Sequence, residues 1–375
     1  MKIAGLTWWR NNYGSILQAY ALQEYLGTIE GVDYKILCQY GKKIASVDNV
    51  IDKFKNIGII PSLKRAYWKF GLKGLRERNK SIQEFVDNHL IISKNQYNEE
   101  TIQYANDEFD CFICGSDQIW NPALTSVKSM YWLQFVNDNK KRIAYAPSVG
   151  VEKFSDDDME VVKDNLRKFE SISCREDSGT VVLNKLLEDN KCITVLDPTL
   201  LVERRLWDSV CSKRKTSEPY IFVYLLRGTK KQRKFIEEYA KRNKMKIMTM
   251  PFLDTEHIEI YDYKFGDEKI WEASPADFIS MIRYSECVFT DSFHCMVFSC
   301  LYHRNFYSFP KIGVAQSNRI IDLQKSLCIS NRIISDDMDF DDIDSLSKID
   351  WNNVDSIIIN KRTESANYLR KAILG

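Results

Sequence analysis

Short apolar runs that end in small or polar residues, each followed by a stretch with helical spacing, recur along the whole chain. This alternation constrains the fold more than any other feature. Residues 2–8, 109–114, 142–146, 171–174, 193–196, 220–226, 246–250, 286–289 and 305–309 read as buried strands. Residues 15–26, 154–169, 180–187, 230–243, 275–284 and 354–374 read as helices. Ser155, followed by an acidic first turn, opens one of them, and Ser274 with Pro275 opens another. Strands that alternate with helices in this way belong to parallel sheets covered on both faces. A chain of 375 residues also exceeds the roughly 250–300 that one core supports. The expected fold is therefore α/β, with two doubly wound domains facing a cleft. The polar segment 212–219 divides them, giving a first domain over 1–215, a second over 216–350 and a closing helix over 351–375. The acidic run 336–344 reads as a solvated connection.

Charge narrows the function classes. The 53 Lys and Arg nearly balance the 52 Asp and Glu, so no global field points to nucleic acid. The exception is local. Over 53–80 the chain carries nine basic residues against Glu77, interleaved with Tyr67, Trp68 and Phe70. Such a segment would be drawn to an anionic membrane surface, or would be a solvated cover over the first domain. The ten cysteines are scattered, and several lie in apolar runs as reduced core thiols do, which suggests a cytoplasmic compartment. Cys111 and Cys114 have no second ligand pair, so no metal or redox site is expected. The amino-terminal apolar run is too short for a signal peptide, and no stretch approaches about 18 apolar residues. The reading is a cytoplasmic protein, with 53–80 as a peripheral attachment to the inner face of a membrane.

Polar clusters sit where strands end. Thr290, Asp291, Ser292 and His294 fall between an apolar run and a helical segment, where backbone N–H groups and the helix dipole favour an anion. A buried structural histidine is the alternative reading. Asn12 and Gly14 lie in the first strand-to-helix turn, with Gly14 permitting close backbone approach and Asn12 offering a polar contact or a plain cap. Ser116, Asp117 and Gln118 follow the strand 109–114, at the carboxyl edge where open sheets bind ligands. Asp197-Pro198-Thr199 reads as a strand breaker.

Taken together, Asn12-Tyr13-Gly14 with LQAYALQEYL, then FICGSDQIWNP, SCREDSG, VLDPTLL and TDSFHCMVFS, resemble the polysaccharide pyruvyl transferase family. The resemblance implies two Rossmann-like domains in a GT-B-like arrangement. It also implies transfer of pyruvate from phosphoenolpyruvate onto a sugar as a ketal, with no cofactor. By this resemblance the first domain faces the acceptor, through Asn12, Gly14, Ser116, Asp117 and Gln118. The second holds the donor, through Asp291, Ser292, Lys311, Asn318 and Arg319. His294 matches the family's donor-engaging histidine and Arg175 its proposed catalytic arginine. This chain has Ser292-Phe293 where many members have Arg-Leu, and Cys295 where a glycine is frequent. Of the two catalytic residues, His294 is the better proton donor, because an arginine side chain holds its proton to above about pH 12. Arg175 is therefore assigned to charge stabilisation. Two other functions remain open: a GT-B-like nucleotide-sugar glycosyltransferase, and a non-catalytic sugar-binding relative.

Overall fold

The computed structural model describes residues 1–10, 12–39, 73–251, 260–310, 318–335 and 338–375. In chain order the first part comprises β1 (Lys2–Leu6), α1 (Tyr13–Gly27), β2 (Asp33–Cys38), α2 (Lys73–His89), β3 (Ile92–Gln96), β4 (Cys111–Cys114), β5 (Lys141–Ala144), α3 (Asp156–Arg167), β6 (Ser171–Cys174), α4 (Asp177–Leu187) and β7 (Cys192–Thr194). Its seven strands are parallel, in the order β3-β2-β1-β4-β5-β6-β7. Strand order reverses between β1 and β4, so their carboxyl ends open the crevice in which doubly wound sheets bind ligands.

After α5 (Pro198–Leu201) and α6 (Arg204–Val210) comes the second part. It comprises β8 (Tyr220–Tyr224), α7 (Lys230–Arg242), β9 (Lys246–Thr249), β10 (Glu268–Lys269), α8 (Pro275–Arg283), β11 (Cys287–Thr290), α9 (Phe293–Leu301) and β12 (Asn305–Ser308). This parallel sheet runs β10-β9-β8-β11-β12, with its own reversal between β8 and β11. α10 (Asn318–Ser326), α11 (Phe340–Ser345) and α12 (Trp351–Leu374) complete the chain. Every residue of β4, β8, β11 and α9 is buried, which is why these stretches read as unbroken apolar runs.

The two sheets share a core. Tyr13 at the start of α1 stacks on Phe278 of α8 with ring centroids 5.4 Å apart, and its hydroxyl donates to the Ala273 carbonyl at 2.9 Å. The last helix returns to the first sheet. Tyr368 donates to the Ala144 carbonyl at 2.9 Å, and Ser365 Oγ accepts the Leu196 N–H at 2.9 Å.

Several elements differ from the sequence reading. β2, β3, α2, α6 and α10 are additional to it. β3 is a mostly exposed edge strand, ISKNQ, with no apolar run to announce it. The acidic stretch expected to be a solvated connection forms α11 from Phe340, because Asp339 accepts the N–H groups of Asp341 and Asp342 in a capping box. Of the basic segment 53–80, residues 53–72 lie outside the described residues. In α2, Arg78 is buried with its guanidinium 4.8 Å from the centroid of the Tyr13 ring, so this cation faces the protein interior.

Candidate active site

The fully buried Asp197 carboxylate gathers groups from both halves of the molecule. β7 ends at Thr194, and Asp197 caps the short helix α5, with Oδ1 accepting Thr199 N–H at 2.9 Å and Thr199 Oγ1 at 2.6 Å. Its Oδ2 accepts Ser116 Oγ at 2.7 Å and Arg175 Nη1 at 2.9 Å. His294 Nε2 lies 3.4 Å from the same oxygen, longer than an ordinary hydrogen bond but within reach of charge attraction. Burial alone would raise the Asp197 carboxyl. His294 and Arg175 outweigh it and hold the group well below the usual carboxylate range.

Arg175 directly follows β6. Its guanidinium lies 4.2 Å from the centroid of the Phe293 ring, so a first-sheet cation rests on a residue at the start of α9. Nη1 is committed to Asp197. Nε lies 3.8 Å from Glu176 Oε2, and neither Nε nor Nη2 has a hydrogen-bond partner among the described residues. Burial disfavours the cation, but Asp197, Glu176 and Asp117 more than offset this and raise its proton affinity further. Arg175 is therefore held firmly as a cation. Glu176 is held in turn by Ser148 Oγ and Val149 N–H, both at 2.9 Å from its Oε1.

His294 packs against the first helix. A Cβ built on Gly14 would lie 2.1 Å from His294 Nδ1, a separation only glycine permits. Asn12 caps α1, its Oδ1 accepting Gly14 N–H at 2.9 Å. Next in the helix, Ser15 Oγ donates to Asp117 Oδ2. Asp117 adopts a left-handed φ of 79° and links two strand ends through its carbonyl, which accepts Ser148 N–H at 2.8 Å. Gln118 is half-buried, and its Oε1 accepts Asn121 Nδ2 at 3.0 Å.

The donor-side candidates separate into groups. Asp291, at the end of β11, holds the loop that follows the neighbouring strand β8, its two oxygens accepting Leu226 N–H at 2.6 Å and Arg227 N–H at 2.8 Å. Ser292 occupies the N-cap position of α9, and its side chain makes no cap bond. Asn318 begins α10, and Lys311 lies outside the described residues. Arg319 is buried, its Nε has no partner among the described residues, and burial with repulsion from Arg175 lowers it to about 10. Arg175, Phe293, Arg319, Lys361 and Glu364 line a cavity of about 40 Å³. Of the residues singled out by sequence, His294, Arg175 and Ser116 thus converge on Asp197, Gly14 abuts His294, and Arg319 faces the same cavity as Arg175. Asp197 itself was read as a strand breaker. Its signal was available, since a cap residue at a carboxyl strand end is also a candidate ligand group.

Cys111 and Cys114 point into different core clusters on opposite sides of β4, so they do not form a pair. Among the described residues no group of His, Cys, Asp or Glu could hold a metal ion, and no helix is long and apolar enough to cross a membrane.

Comparison with known proteins gives fold and family. The chain is similar to the UDP-GlcNAc 2-epimerase of Methanocaldococcus jannaschii at 11% identity and a TM-score of 0.51, covering 100% of each chain. It is similar to the Candida albicans trehalose-6-phosphate phosphatase N-terminal domain at 8% identity and a TM-score of 0.53, covering 99% of this chain and 96% of the other. These likenesses show the fold, a GT-B-like pair of Rossmann-like domains. No curated protein matches the sequence. The family described as Polysaccharide pyruvyl transferase matches residues 12–310.

Proposed function

The chain belongs to the polysaccharide pyruvyl transferase family, and from that premise we propose that it moves pyruvate from phosphoenolpyruvate onto two hydroxyls of a sugar as a ketal. The observation that carries this reading is the pair of buried guanidinium groups, Arg175 and Arg319, which beside one cavity have nitrogens with no hydrogen-bond partner among the described residues. Asp197 and Glu176 balance Arg175, but burial and repulsion from Arg175 disfavour the Arg319 cation, and an anion entering beside it would offset that cost. Phosphoenolpyruvate brings a carboxylate and a phosphate, and arginine suits both.

The chemistry assigns the remaining roles. Protonation of the donor at C3 leaves positive character at C2, where the first sugar hydroxyl adds and gives up its proton. Phosphate then leaves with the C2–O bond electrons, and the second hydroxyl closes the ketal; of the two hydroxyl protons one replaces that given to C3 and the other goes to the phosphate. His294 is the group suited to supply the C3 proton, and Arg175 to balance the departing phosphate. The cavity of about 40 Å³ is far smaller than the roughly 300–1,000 Å³ of small-molecule sites, so the donor enters only after the halves separate. Ser116, Asp117 and Gln118, together with Asn12, face the acceptor side of this reading.

A sugar on a lipid diphosphate is the acceptor class we favour, because the basic and aromatic segment 53–80 would hold the enzyme at an anionic leaflet. The ten free thiols support a reducing, cytoplasmic compartment. Phosphate release from phosphoenolpyruvate across lipid-linked and nitrophenyl sugars tests the proposal. The expected result is acceptor-dependent release, abolished in His294→Asn with the fold intact. Acceptor-dependent release of nucleotide from a nucleotide sugar instead, or sugar binding with neither donor consumed, would overturn it. Vesicle sedimentation tests the acceptor class, with binding expected on anionic lipid at low salt and lost at about 1 M, where charge is screened within roughly 3 Å.

A further inference from the structure

We propose that Asp197 is a positioning residue for the transfer reaction, holding Arg175 of the first domain and His294 of the second in one arrangement. The inference rests on the pyruvyl transfer reading for its chemistry, but its geometry stands apart from it. One carboxylate oxygen, Oδ2, faces Arg175 Nη1 at 2.9 Å, Ser116 Oγ at 2.7 Å and His294 Nε2 at 3.4 Å. No solvent reaches the Asp197 side chain, so its charge is answered by these groups and by the two Thr199 donors on Oδ1.

A purely structural carboxylate would not need this oxygen. The cap on α5 uses Oδ1 alone, and an asparagine carbonyl in the same place would serve it equally. Oδ2 faces only the two side chains to which the chemistry assigns charge stabilisation and proton transfer, together with the hydroxyl of Ser116. Nε2 is the ring nitrogen that faces the carboxylate, so it is the one expected to carry the proton of the neutral imidazole. The other charged groups around the pair are Glu176 and Asp117, which also favour the Arg175 cation, and Arg319, which opposes it. Asp197 thus orients the histidine ring and fixes the arginine fork through one oxygen. The same oxygen also ties the two domains together when they close.

The test separates the contact from the activity. The chain has four histidines, and isotope labelling of the imidazoles with His294→Asn for assignment identifies the His294 signal. In the wild type, without substrate, the neutral His294 ring is expected in the Nε2–H tautomer, and the Nδ1–H tautomer would overturn the proposal. In Asp197→Asn, which keeps the cap, the Nε2–H preference is expected to be lost, and kcat should fall about tenfold or more, with less change in KM for phosphoenolpyruvate. Ser116→Ala removes a neutral donor from the same oxygen and should leave the tautomer as it was. An unchanged tautomer in Asp197→Asn, or an equal change in both variants, would overturn the proposal. If no sugar elicits phosphate release from the wild type, the functional reading fails, while the tautomer still decides whether Asp197 orients His294. Should Asp197→Asn not fold, the wild-type tautomer alone decides.

Discussion

Gly14 and His294, from opposite halves of the molecule, approach so closely that no side chain fits on Gly14. An added Cβ would stand 2.1 Å from the imidazole Nδ1 and 2.5 Å from Cγ. In a helix, alanine is normally favoured over glycine by about 1 kcal/mol. Here overpacking, typically about 1–3 kcal/mol, works against that gain. Gly14→Ala is expected to lower the thermal midpoint and to reduce phosphate release at least tenfold, because the ring must leave its place beside Asp197. A stable variant with wild-type turnover would mean that catalysis does not use this position of His294.

Arg175→Lys keeps a positive charge but loses the planar fork that reaches Asp197 and lies over Phe293. Steady-state kinetics should show a fall in kcat of about a hundredfold, the scale of removing one preorganised charge donor. A folded variant with kcat within twofold of wild type would exclude Arg175 from the transition state.

Arg319→Met should stabilise the protein and disable it together. Burial and the neighbouring Arg175 disfavour the Arg319 cation, lowering it to about 10, so the folded state carries a cost at every pH below that value. Removing the charge is expected to raise the thermal midpoint in the absence of phosphoenolpyruvate, and to raise KM for phosphoenolpyruvate at least tenfold. A lowered midpoint with unchanged KM would assign Arg319 to packing alone.

Asp197 also governs acid stability. Its folded carboxyl lies well below the unfolded value of about 3.9, so its contribution is complete above that pH, declines below it and is lost as pH falls through the folded value. Wild type should therefore exceed Asp197→Asn in stability at neutral pH, and denaturant titrations should show the gap narrowing below about pH 4. A gap of constant size down to pH 2 would contradict the assignment of the charge.

Much of the fold was legible because parallel sheets bury both faces. β4, β8 and β11 announce themselves as apolar runs, and Ser274 with Pro275 marks a helix start that the structure keeps. β3 was not legible, since an edge strand of polar residues depends on its neighbour for its shape. In the site, the strand-end positions of Arg175, Ser116 and His294 followed from the alternation of elements. Asp291 had the same local signature but spends both oxygens on the backbone of the loop after β8, a pairing 64 and 65 residues away in sequence. Asp197 escaped because its helix-capping task explains the residue in its local context. Only the tertiary fold reveals that one of its oxygens is left for Arg175 and His294.

The return of α12 to the first sheet has a consequence for how the chain matures. On the ribosome, β1 to β7 emerge long before Ser365 and Tyr368, the residues that satisfy Leu196 N–H and the Ala144 carbonyl. The first sheet must therefore wait, with one side partly uncovered, while the entire second sheet is translated. Nascent chains stalled before residue 365 should display that side to chaperones, and assembly of the Asp197 cluster becomes a late event in biogenesis.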